Sequence, residues 1–135
     1  MVYVGIDVAK DKHDCFIANS DGEVLYDVFT IQNDMDGFED LLFKIKTASK
    51  DLNKVKVGLE ATGHYSCNIL GFLHNKGLTT IVINPLHTNA YRKSLSLRKT
   101  KTDKADARAI ASMIMSDVSL KPYSDTVYHN EDLKS

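Results

Sequence analysis

The sequence is poor in the residues that staple a chain or carry it through a bilayer. Its 135 residues include two cysteines, Cys15 and Cys67, too few for a disulfide framework and without the CxxC spacing of a metal pair. A reducing cytoplasm is the expected compartment, and both thiols read as core residues. No apolar run approaches the roughly 18 residues that a membrane helix needs, so no membrane partner is expected. The opening residues, MVYVGID, have neither a basic region nor a small-residue cleavage site, which argues against a secretory signal. No repeat and no low-complexity tract interrupts the chain.

What is present is an ordinary globular composition, 43% hydrophobic and 26% charged, in a length that suits one domain with a real core. The net charge of −1 hides an uneven distribution. Between Arg92 and Arg108 stand seven cations (Arg92, Lys93, Arg98, Lys99, Lys101, Lys104 and Arg108) against two acids, Asp103 and Asp106. A block this dense is either a phosphate-binding footprint or a solvated loop.

Periodicity gives the order of elements. Val2–Ala9 is a short apolar run that breaks at Asp7 and reads as a buried strand. His13–Asn19 and Glu23–Ile31 are β-rich runs joined by Asn19-Ser20-Asp21-Gly22, a hairpin signal. From Asp34 to Ser49 the period changes: Phe38, Leu41, Leu42 and Ile45 form the stripe of an amphipathic helix. Lys54–Ala61 is a strand, Tyr65–Lys76 a helix stopped by Gly77, and Leu78–Pro85 a strand ended by its proline. Asp103–Ser116 is a helix with Ala107, Ile110, Ala111 and Ile114 inside. The expected fold is therefore α/β: three antiparallel strands followed by two parallel ones in a mixed five-stranded sheet, with helices on both faces and right-handed crossovers. Residues 1–116 read as the folded domain, and 117–135 as a polar tail or the start of a linker.

In such a sheet, functional groups gather at the carboxyl ends of parallel strands. Asp7 closes the first strand and Glu60 the fourth, so neighbouring strands would bring them together. Asp103 and Asp106, three apart, share one helix face. Each acid has a plain alternative as a turn, cap or first-turn residue, but all four together favour one pocket. Clustered carboxylates repel unless cations neutralise them. Mg²⁺ or Mn²⁺ suits their hard oxygens, and two ions about 4 Å apart serve a phosphodiester displacement. The neighbouring cations would then hold a polyanion.

GIDVAK (Gly5–Lys10), LEATGHY (Leu59–Tyr65), Asn84-Pro85 and RKTKTDKADARAIA (Arg98–Ala111) resemble the DEDD transposases of insertion sequences and the related Piv-type DNA invertases. The resemblance runs from about Val2 to Met115. It implies a RuvC-like, ribonuclease-H-type catalytic domain acting on DNA, with the metal-binding and catalytic tetrad at Asp7, Glu60, Asp103 and Asp106. It also implies assembly into a homo-oligomer and a structured guide RNA as a further partner. Family members are longer, with a helical linker and a C-terminal domain carrying a nucleophilic serine, so this sequence corresponds to the N-terminal catalytic portion.

Two accessory residues stand near the expected site. His64 follows Gly63 at its mouth, within reach of a phosphate or of metal-bound water, or is an exposed histidine at a helix start. Asn84 lines the cleft from a strand end or sits in a turn. His13, His74, His87 and His129 have no metal-ligand spacing. Two other functions compete with the transposase reading. A sugar-kinase or actin-like ATPase half also opens on GID and a hairpin, but calls for a second glycine-rich loop of the DxGGT kind, which the sequence lacks. A non-catalytic nucleic-acid-binding module would use Arg92, Lys93, Arg98, Lys99, Lys101 and Lys104 on phosphates, with the acids merely solubilising; steep salt dependence without a metal effect would mark it.

Overall fold

The computed structural model describes residues 1–60, 63–83 and 105–116, excepting the side chains at positions 63, 64, 105 and 106. Five strands form one sheet: β1 (Val2–Asp7), β2 (Lys12–Asn19), β3 (Val24–Gln32), β4 (Val55–Glu60) and β5 (Thr79–Ile83), in the order β3-β2-β1-β4-β5. β1 pairs antiparallel with β2 and β2 with β3, whereas β4 runs parallel to β1 and β5 parallel to β4. This is the expected mixed sheet.

The hairpin between β2 and β3 is built by its own side chains. Asn19 Oδ1 accepts from the Asp21 and Glu23 amides at 3.0 Å, the kind of local turn that Asn favours. Gly22 takes the left-handed conformation, φ 85°, that closes the turn. Helix α1 (Met35–Ala48) starts one residue later than the sequence pattern suggests, because Asp34 is the N-cap and accepts from the Gly37 amide at 2.8 Å. Helix α2 (Cys67–Asn75) is shorter than expected: Gly63–Ser66 form a separate 3₁₀ turn.

Strand alternation divides the core in two. On one face Val2, Val4 and Ile6 of β1, Cys15 and Ile17 of β2, and Val55, Val57 and Leu59 of β4 pack against α1 (Phe38, Leu41, Ile45) and α2 (Ile69, Phe72, Leu73). The opposite face carries helix α3 (Ala105–Ser116). There Ile110, Met113 and Ile114 pack with Ile81, Ile83 and Tyr3, while Ala107 and Ala111 pack with Phe16 and Ala18. Burying α3 relies on two glycines in adjacent strands. A Cβ on Gly5 would lie 2.1 Å from the Ala107 carbonyl oxygen and 2.7 Å from the Ala111 nitrogen, so the helix backbone rests directly on β1. Gly58, paired with Gly5, leaves room for the ends of Ile110 and Ile114.

Candidate active site

The parallel register of β1 and β4 runs from Val2↔Val55 to Ile6↔Leu59. Asp7 and Glu60 are the next residues and the last of their strands. They stand side by side at the carboxyl edge, roughly one strand spacing (about 4.8 Å) apart along the backbone. Alternation puts Asp7 on the face of Gly5, and Glu60 on that of Gly58, which is the face α3 covers. Both acids are half-buried. The sequence breaks at Asp7 and Glu60 thus mark true strand ends on adjacent strands.

The third component comes from α3. Ala107 and Ala111 lie over Gly5, whereas Ile110, Met113 and Ile114 pack with Tyr3 of β1 and with Ile81 and Ile83 of β5. The helix backbone between Ala107 and Ala111 thus crosses β1 at Gly5, two residues before Asp7 and on the same face. Asp106 belongs to the first turn of α3. Each residue of a helix adds about 1.5 Å along its axis, so the backbone at Asp106, next to Ala107, lies close to the part of β1 that ends at Asp7. The Asp106 side chain and all of Asp103 lie outside the described residues. Outside them too lie Asn84, Arg92, Lys93, Arg98, Lys99, Lys101, Lys104 and the tail from 117 to 135. His64 belongs to the 3₁₀ turn directly after β4, near the Glu60 edge, with its side chain likewise outside the description.

Two further groups frame α3 and the edge. Arg108 reaches from α3 to the Asp27 carboxylate of β3, and its guanidinium lies 5.6 Å from the centre of the Phe16 ring. The Arg108 guanidinium holds Asp27 below the usual carboxylate range. Asp14 is a residue that sequence reasoning passed over: the β1–β2 register sets it opposite Asp7, on the same face. Its Oδ1 accepts from the Thr30 hydroxyl at 2.7 Å. Counting the register outward from the Lys10-Asp11 connection between β1 and β2 would have found it.

The donor set at this edge fits a hard divalent cation in chemistry, since Asp7 and Glu60 offer carboxylate oxygens from one face. Among the described residues, no three His, Cys, Asp or Glu side chains are grouped so as to hold a metal ion. Asp7 and Glu60 thus stand together at one sheet edge, on the face that α3 covers. Among the described residues, no helix is long and apolar enough to cross a membrane.

The chain is similar to known proteins in sequence and in fold. Residues 4–135 match the model of the IS110 DEDD transposase family. The chain is 36% identical over 110 residues to the pilin gene-inverting protein of Moraxella bovis, and 34% identical to that of Moraxella lacunata. Each match covers 81% of this chain but 33% of the relative, so the chain spans a third of the length of these relatives. Among solved structures, Thermus thermophilus RuvC superposes with a TM-score of 0.62 at 13% identity, covering 91% of this chain and all of RuvC. The same enzyme in complex with a Holliday junction substrate gives 0.57, at 13% identity, covering 91% of this chain and 99% of RuvC. The fold is that of RuvC, a ribonuclease-H-like sheet, and the chain belongs to the DEDD transposase family of IS110 elements.

Proposed function

We propose that this chain is the catalytic domain of a DNA transposase or site-specific recombinase, and that Asp7, Glu60, Asp103 and Asp106 together hold two Mg²⁺ or Mn²⁺ ions. The observation that carries the reading is the side-by-side placement of Asp7 and Glu60 on the face that α3 covers. The family and the RuvC fold support it, as do relatives named for inverting a gene and a neighbour solved on a Holliday junction. When bound, such ions supply Lewis acidity for a phosphodiester displacement.

The protein's own residues then divide the work. Asp7 and Glu60, fixed on adjacent strands, form the rigid half of the site. Asp103 and Asp106 complete it from the helix. Arg92, Lys93, Arg98, Lys99, Lys101 and Lys104 neutralise DNA phosphates and position the scissile strand, since phosphate contacts set register rather than sequence. His64 and Asn84 flank the edge as accessory contacts. The full-length protein acts as a homo-oligomer, because recombination engages two DNA segments, and a structured RNA guides target choice.

The test replaces Asp7 by Asn in the full-length protein. Melting without metal should stay at or above the wild-type temperature, because a carboxylate repulsion is removed. The stabilisation by Mg²⁺ or Mn²⁺ and the recombination of DNA should both disappear. Normal recombination by Asp7→Asn would reduce this acid to a turn residue and end the metal-site reading.

A further inference from the structure

Immediately behind Asp7 the chain makes the tight connection from β1 to β2, and two side chains from elsewhere hold it. His13 Nδ1 accepts from the Ala9 amide at 3.2 Å. Asn33, just past β3, donates its Nδ2 to the Lys10 carbonyl at 2.9 Å, and its own amide donates to the Asp11 carbonyl at 2.9 Å. Three consecutive residues, Ala9, Lys10 and Asp11, are each tied by one bond. His13 has 0% exposure and lies on the α1 side of the sheet, opposite the acids. Its ring stacks on Phe38 of α1 at 6.3 Å, and Phe38 in turn meets Phe72 of α2 at 5.5 Å. The connection is therefore referred to the main core.

The chemistry of His13 is set by this bond. An Nδ1 that accepts belongs to the neutral ring carrying its proton on Nε2. Within the described protein that Nε2 and the Asn33 Oδ1 are both buried without a hydrogen-bond partner. They are a complementary donor and acceptor, and the Asn33 side chain favours the protonated ring, though burial outweighs it. Buried polar groups left so are uncommon and call for an explanation. A ring kept for packing alone would be better served by an apolar side chain. What His13 contributes that leucine cannot is the acceptor for Ala9.

We infer that His13 and Asn33 are positioning residues: they pin the Ala9–Asp11 connection so that the Asp7 carboxylate is held in metal-binding geometry beside Glu60. This rests on the assignment of Asp7 to the acid cluster above. Neither residue touches the reacting atoms. Groups that orient a metal ligand from behind often matter nearly as much as the ligand.

The experiment uses the full-length protein in wild-type form and as His13→Leu, His13→Asn, Asn33→Ala and Asp7→Asn. Asparagine can return an acceptor oxygen to the place of Nδ1, whereas leucine keeps bulk without one. Hydrogen exchange of the peptide spanning residues 8–12 reports the pin, and titration with Mn²⁺ alone reports Asp7. Exchange of the Ala9 amide, the donor in this peptide to His13, should be slow in wild type and His13→Asn, faster in His13→Leu, and faster too in Asn33→Ala, where loss of the Lys10 carbonyl bond loosens the connection. Mn²⁺ binding should weaken about tenfold in His13→Leu and Asn33→Ala, the lower end of what outer partners of a ligand supply, and His13→Asn should restore it. Half-buried Asn33 keeps the test alive if His13→Leu fails to fold. Wild-type Mn²⁺ affinity in both His13→Leu and Asn33→Ala, alongside lost binding in Asp7→Asn, would overturn the positioning role alone. Loss in His13→Asn equal to that in His13→Leu would also overturn it, reducing His13 to a packing residue. Unchanged Mn²⁺ binding in Asp7→Asn would instead mean that the acid assignment had failed.

Discussion

Replacing Gly5 by alanine adds one methyl group at the point where the α3 backbone touches β1. The new carbon would sit 2.1 Å from the Ala107 carbonyl oxygen and 2.7 Å from the Ala111 nitrogen. A carbon approaches a carbonyl oxygen to no less than about 3.3 Å, so the helix must withdraw by roughly 1 Å. Both opposing atoms are backbone, and no side-chain rotation relieves the clash. Overpacking of this kind costs about 1–3 kcal/mol, or some 3–12 °C in melting temperature for a domain of this size. The larger consequence is chemical. The same 1 Å shifts the backbone of Asp106 relative to Asp7 and Glu60, and on the proposed function a displacement of that size can cost about 10²-fold in rate. Calorimetric melting and a recombination assay of the full-length protein measure the two losses. Gly58→Ala is the internal control: its added carbon meets the Ile114 Cγ2 at 2.7 Å and the Ile110 Cγ2 at 3.2 Å, a less severe approach and to side-chain methyls rather than backbone, so both losses should be smaller. A Gly5→Ala protein that melts and recombines like wild type would refute the seating of α3 on β1. Outright stabilisation, as a glycine-to-alanine exchange gives at an unstrained site, would refute it more strongly.

Further outcomes follow from other parts of the molecule. Neutralising Arg98, Lys99 and Lys101 together should weaken binding to all DNA sequences alike and flatten the salt dependence by about 0.9 for each phosphate no longer neutralised; an unchanged slope in a filter-binding titration would dismiss the phosphate role. Burial lowers the His13 pKa from its ordinary 6.5, against smaller opposing effects of Asn33 and Asp14. The unfolded chain therefore takes up this proton first, and the contribution to stability is complete above about pH 6.5 and declines as pH falls towards the folded value. Urea unfolding between about pH 5 and 7.5 should show that decline in wild type and a flatter profile in His13→Leu, and equal profiles would remove the linkage. Asp34→Ala should lower stability by about 1 kcal/mol, the usual worth of an N-cap, without altering Mn²⁺ affinity; a change in affinity would mean that α1 communicates with the acid edge.

Much of this arrangement is legible in the sequence because local rules report it directly. The Asn19–Gly22 turn carries its own hydrogen bonds, the α1 stripe at Phe38, Leu41, Leu42 and Ile45 faces the core as its period requires, and Asp7 and Glu60 end apolar runs. The role of Gly5 is illegible for the opposite reason. Its meaning depends on α3, and nothing in an alternating strand pattern says which helix will rest on a missing side chain. His13 eludes a spacing argument as well: its partner is an amide four residues back, and its cover comes from Phe38 of a different element. Asp14 pairs with Asp7 through the strand register rather than through any motif. The break between Gly63–Ser66 and α2 is a local tightening that apolar periodicity does not resolve.

The contact of α3 with Gly5 joins the first strand of the chain to the last described helix. During synthesis, β1, β2 and β3 can pair as soon as they are made, but the residue that will rest on Gly5 is added about a hundred residues later, roughly 5–20 s at bacterial elongation rates. Until then the strand acids lack the helix that approaches their edge. On the proposed function the acid edge is completed last, so a nascent chain would stay inert towards DNA until the ribosome has delivered α3.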